Sequence, residues 1–121
     1  MDFEEAISVH SAWKMRLKSY LMKPDQSLKP MEVAADDRCA LGKWLQSEKK
    51  KHAAMPEFGK LCADHSRFHQ IAADILRRAD AGEKVIEETA IGARSEFSSV
   101  SSAVVTGLLT IQKKLQMVHS H

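Results

Sequence analysis

Residues 55–82 read MPEFGKLCADHSRFHQIAADILRRADAG. Phe58, Leu61, Cys62, His65, Phe68, His69, Ala72, Ile75, Leu76 and Ala79 recur every three or four positions along it, the period of one helix face. Pro56 suits the first turn, where its missing N–H costs nothing, and Gly82 suits a C-terminal cap. The spacing predicts a helix of about 25 residues, roughly 38 Å long. Two of its inward positions are histidines, and that decides how the rest of the chain is read.

Working outward, Phe3, Ala6, Ile7, His10, Trp13, Leu17, Tyr20 and Leu21 form an apolar stripe that predicts a first helix from Phe3 to Met22. Pro24 and Pro30 then interrupt the helical pattern. A short helix is expected to start at Asp36 or Asp37, either a good N-cap, and to carry Cys39, Leu41, Trp44 and Leu45. Lys49 to Lys51 suit the solvated C-terminal end of that helix. The segment from Glu83 to about Val118 is read as one helix of about 36 residues, roughly 54 Å. Its seam of Phe97, Val100, Val104, Leu108, Ile111, Leu115 and Val118 resembles a coiled coil, although Gly92, Gly107 and four serines (Ser98, Ser99, Ser101, Ser102) weaken it, so a kink or break there is the open alternative. A helix that long would overhang its neighbour by more than about 10 Å. A second copy of the chain is the simplest cover for its seam.

The expected fold is therefore all-α: a four-helix bundle with an additional short helix carrying Cys39 and a long C-terminal helix, in a single domain over residues 1–121. Composition agrees. The 121 residues are 44% hydrophobic and 28% charged, with five glycines and three prolines, which favours helices and excludes a turn-rich β protein. A net charge of +2 is too weak to argue for nucleic acid. No run of 18 apolar residues suggests membrane insertion, and Met1-Asp2-Phe3-Glu4-Glu5 lacks a basic n-region and apolar h-region. With two cysteines and no disulfide framework, the expectation is a cytoplasmic protein.

His65 and His69 stand at i and i+4, one above the other on the inner helix face, where both rings can reach a single ion. His10 takes a core position between Ile7 and Trp13, and Cys39 lies in the short third element. Three inward histidines and a thiol from three elements match the four N/S donors that zinc prefers. Four protein ligands leave no open position for an activated water, so such a centre is structural or sensory. Cys62, also inward, is read as a small buried hydrophobe and as the replacement ligand if Cys39 is not used. His52 beside the lysine run is expected to be exposed, and His119 and His121 belong to the tail. Asp64, Asp36 and Asp37 are candidate partners for orienting a ligand. A bland alternative keeps these histidines and cysteines as ordinary core residues of a metal-free interaction scaffold. A di-iron oxygen-binding bundle is a weaker alternative, because no histidine has Glu three positions before it. A zinc protease is excluded, since Ser66 stands where HExxH needs Glu.

Three blocks stand in order: His10-Ser11-Ala12-Trp13, Cys39-Ala40-Leu41-Gly42-Lys43-Trp44 and His65-Ser66-Arg67-Phe68-His69. Together they resemble the chemoreceptor zinc-binding (CZB) domain family, whose pattern is HxxW, CxLGxW and HxxxH. The resemblance implies a homodimeric helical bundle with one zinc per subunit, held by His10, Cys39, His65 and His69. It also implies a regulatory role without catalytic activity, in bacterial chemotaxis or cyclic-di-GMP signalling. Cys39 would be the ligand that responds to zinc level or to oxidants such as hypochlorous acid. By the same resemblance Trp13, Leu41, Gly42 and Trp44 pack the motif, with Gly42 allowing close backbone approach. The chain carries no Gly-rich nucleotide loop, no cyclase-like strands and no receptor hairpin, leaving a free-standing module or an excised fragment. The initiating Met favours the former, and a separate signalling partner is expected on another chain.

Overall fold

A computed structural model describes residues 2–35 and 39–119 of the chain, the side chains of residues 117–119 excepted. The described residues are helical throughout, with no strand among them, as expected. In chain order the helices are α1 (Phe3–Met22), α2 (Pro30–Ala34), α3 (Ala40–Glu48), α4 (Pro56–Asp80), α5 (Glu87–Ile91) and α6 (Glu96–His119). Three long helices, α1, α4 and α6, pack on one another, and the three short ones close the spaces beside them. No described helix is long and apolar enough to cross a membrane.

Local chemistry sets the ends. Asp2 caps α1 by accepting the Glu5 N–H at 3.1 Å, and Glu4 and Glu5 place negative charge at the positive end of the helix. Pro30 and Pro56 occupy the first turns of α2 and α4. Gly82, at φ 81°, closes α4 in the left-handed region, while Glu83 N–H bonds back to the Arg78 carbonyl at 3.0 Å. The α4 boundaries agree with the sequence expectation. Helix α3 begins later than expected, so that Cys39 is its N-cap and not a residue within it. Asp36 and Asp37, the expected caps, lie outside the described residues.

The C-terminal segment departs from the single helix of about 36 residues. It breaks into α5 and α6 at Gly92. Ser95 then restarts the helix by accepting the Ser98 N–H at 3.1 Å, while the Ser95 and Ser98 hydroxyls both donate to the Gly92 carbonyl, at 2.6 and 2.7 Å. Serines that compete with the helical ladder thus serve as a new start. After the break α6 has 24 residues against 25 in α4, so the expected overhang is absent. Its seam also needs no second copy: Phe97, Val100, Val104, Leu108 and Ile111 are buried within the chain, against α4 and α1, and Leu115 is half-buried. Val118 falls among the side chains not described. Gly107 permits this packing, because a Cβ there would lie 3.2 Å from Leu61 Cδ1 on α4.

Two tests follow from these ends. A Cβ at Gly92 would meet the Glu88 carbonyl oxygen at 2.2 Å, so Gly92→Ala must displace backbone. It is expected to destabilise the chain by about 1–3 kcal/mol in thermal melts. Gly59→Ala, inside α4 with nothing within 4 Å, should instead stabilise by up to about 1 kcal/mol. The second test concerns the buried Tyr20, whose hydroxyl donates to the Asp80 carboxylate and ties the end of α1 to the end of α4. Burial, then this bond and the carboxylate's charge, push its pKa up to about 12. The unfolded chain releases that proton near pH 10, so this group's contribution to stability falls as pH rises from about 10 to 12. Denaturant titrations across that window should show a shallower decline in Tyr20→Phe than in the wild type.

Candidate metal centre

Helix α4 places His65 and His69 one turn apart, with ring centroids 4.5 Å from each other. Helix α1 brings His10 beside them, at 5.1 Å from the His65 ring and 6.1 Å from the His69 ring. The start of α3 supplies Cys39, whose Sγ lies 3.3 Å from His65 Nε2 and 3.7 Å from His69 Nε2. One ligand atom from each of the four residues can be chosen so that all lie within 4.8 Å of one another. The histidines are 1–4% exposed and Cys39 is half-buried.

Two backbone carbonyls aim the rings. A carbonyl only accepts, so a ring nitrogen facing one must carry the proton. His10 Nδ1 donates to the Ala6 carbonyl at 2.8 Å, and His69 Nδ1 donates to the Val33 carbonyl at 2.7 Å. In the neutral rings each Nε2 is then a lone pair turned toward the other donors. His10 Nε2 is fully buried and has no hydrogen-bond partner among the described residues. His65 Nε2 and His69 Nε2 approach to 3.0 Å. Cys39 Sγ accepts the Gly42 N–H at 3.3 Å at the positive end of α3, which suits an anionic sulfur.

The charge state matches this geometry. Burial holds the His10 pKa below the usual imidazole range, against the raising effect of the Ala6 bond, with His69 lowering it further. Burial, then the neighbouring His69 and His10, push His65 down to about 3. Both rings are therefore neutral donors at pH 7. Ordinary zinc bonds to nitrogen and sulfur imply tetrahedral N···N edges of about 3.3 Å and N···S edges of about 3.6 Å. The separations of 3.0, 3.3 and 3.7 Å are close to these, and the buried His10 lone pair is the kind of atom that a cation would satisfy. The residues fit the ion.

Aromatic rings wall the donors in. Trp13 packs on His69 and Phe68 on His10, at 6.5 and 5.4 Å between centroids, and the Arg16 guanidinium covers the Trp13 ring at 4.0 Å. Leu41 and Gly42 are buried, and Trp44 packs between Phe3 and Phe58 at 5.5 and 5.8 Å. None of these side chains supplies a donor.

Other sequence expectations fare differently. Cys62 is half-buried against the core and is not in the donor cluster. His52, expected to be exposed, is largely covered: it packs on Phe58 at 5.2 Å and on Trp44 at 6.3 Å, with Glu48 3.7 Å away. Asp64 does not orient a ligand; it accepts from Lys60 at 2.6 Å on an exposed part of α4. Asp36, Asp37, His121 and the side chain of His119 lie outside the described residues. The partner of His69 that the sequence reading missed is a backbone carbonyl on α2, a helix of five residues. Its one sequence signal was Pro30, read as an interruption although proline also opens helices.

A family model described as the chemoreceptor zinc-binding domain matches residues 10–76, which contain all four donors. No curated protein and no solved structure matches the chain.

The donor geometry is tested by metal analysis of the untagged chain. One zinc per chain is expected, and zinc should raise the melting temperature. His10→Ala, Cys39→Ala, His65→Ala and His69→Ala should each weaken zinc by more than the roughly 10–100-fold typical of losing a supporting group. His52→Ala should leave zinc affinity unchanged.

Proposed function

Because the chain belongs to the chemoreceptor zinc-binding domain family, we propose that it is a regulatory zinc-binding module whose responsive ligand is Cys39. The observation that carries the metal reading is His10 Nε2, buried without a partner and turned toward three other soft donors. In a metal-free scaffold such an atom costs about 1–3 kcal/mol. With no carboxylate in the cluster among the described residues, the di-iron reading has little support. Four protein donors leave no position for substrate or activated water, which favours a module without enzymatic activity.

Zinc, when bound, would keep Cys39 as a thiolate and tie α3 to α1 and α4. The chain's own asymmetry indicates where a response begins. The three histidines are buried on long helices, whereas Cys39 is half-buried at the start of a nine-residue helix. Attack of the Cys39 thiolate on hypochlorous acid would form the S–O bond of a sulfenic acid and release chloride, the sulfur losing two electrons and the oxidant gaining them. The sulfur would then no longer be an anionic ligand. Release of α3 would alter the surface around Leu41, Trp44 and Leu45, and we propose that a signalling partner or a second copy of the chain reads that change. Phe97, Val100, Val104, Leu108 and Ile111 of the α6 seam are buried within the chain and are not free for such a contact.

Hydrogen exchange tests the switch. With Cys39 oxidised or replaced by Ala, protection over residues 39–48 should fall while α1, α4 and α6 keep theirs. Equal protection over those residues with and without the thiol would overturn it.

A further inference from the structure

A cavity of about 310 Å³ opens between the N-terminal turns of α1 and the start of α3. Its inner end is formed by His10 and Cys39, and its walls include Val9 and Trp44. Asp2 and Glu5, both exposed, also line it. It therefore runs from an acidic rim, past apolar walls, to two members of the donor cluster. One of them, His10, is 2% exposed and has the orphaned Nε2.

We propose that this cavity is the portal through which a divalent cation reaches the four donors, and that Asp2 and Glu5 select for positive charge at its mouth. The proposal rests on the metal reading given above. Two carboxylates over low-dielectric walls concentrate cations and repel anions, and such focusing changes association rates more than final affinity. Cys39 lines the same cavity as the two carboxylates, so along this path anionic reagents should reach its sulfur more slowly than neutral ones. The rim can be neutralised with little harm to the fold. Asp2→Asn keeps a good cap for the Glu5 N–H, and Glu5→Gln keeps a good helix former.

The test mixes cobalt(II) with the metal-free full chain in a stopped-flow instrument, following thiolate-to-cobalt charge-transfer absorption. The Asp2→Asn/Glu5→Gln variant should bind about three- to tenfold more slowly than wild type at low salt. The two rates should converge at high salt, with one cobalt per chain and equal final absorbance in both. Equal rates at low salt would overturn the portal. A second arm needs no metal: in the Cys62→Ser background, Cys39 of the metal-free chain is treated with a neutral and a dianionic aromatic disulfide. Neutralising the rim should speed the dianionic reagent severalfold and leave the neutral one unchanged. A chain that takes up no cobalt but shows this shift loses the metal reading and keeps the charge-selective portal. No shift in reagent preference overturns the portal.

Discussion

The constraint on which the rest of the structure depends is the convergence of four electron-pair donors in a nearly dry bundle. Three imidazoles and a cysteine each bring a ligand atom within 4.8 Å of the others, and the pair on α4 is 3.0 Å apart at Nε2. Lone pairs held that close repel unless a proton or a cation stands between them. Burial disfavours a charged ring, holding the His10 and His65 pKa values low. A neutral Nε2–H tautomer of His65 can bridge only one pair, which leaves the buried His10 Nε2 with no hydrogen-bond partner among the described residues. A cation bound there would satisfy all four donors at once, and the aromatic walls that make a charged ring costly would also strengthen the attraction between donors and ion.

Holding the donors on target falls largely to the backbone. The Ala6 carbonyl, one turn before His10, is available because α1 is regular there. The Val33 carbonyl exists at the right place because the five residues Pro30–Ala34 coil into α2 and pack on α4. The connection between α1 and α3 is thus a supporting layer of the centre as well as a linker. A carbonyl fixes a tautomer as firmly as a carboxylate would while adding no net charge to a buried site.

What could be read from the sequence follows from what periodicity can and cannot encode. His10, His65 and His69 stood out because polar residues occupied positions where the 3.6-residue repeat demands apolar ones, and a long helix makes that repeat unambiguous. The same rule left the C-terminal segment open, because the seam of α6 obeys the period whether its apolar face meets a second copy or its own α4. Only the break at Gly92 and the restart at Ser95, which shorten α6 to the length of α4, settle where that face goes. His52 was misjudged from its lysine neighbours, since three adjacent charges say nothing about a ring that turns back onto Phe58. The Val33 carbonyl was beyond reach for a simpler reason: every residue has a carbonyl, so no side-chain pattern marks the one that matters.

The unequal lengths of the helices bear on function. A nine-residue helix is too short to persist in water on propensity alone, so α3 is held by the burial of Leu41 and Leu45, by Trp44 between Phe3 and Phe58, and by the contacts of Cys39. The long helices share a core that includes Leu17, Phe68, Phe97 and Leu108, and their pairing does not need the thiol. Loss of the sulfur donor would therefore fall on a short helix with little independent stability and not on the three long ones. Had the thiol been placed on α4 and a histidine at the start of α3, the same four donors could bind the same ion, yet oxidation would strike a helix locked in the core. The order of ligands along the chain, with cysteine at the start of a short helix and the histidines on long ones, would let a change in local chemistry become a change in shape.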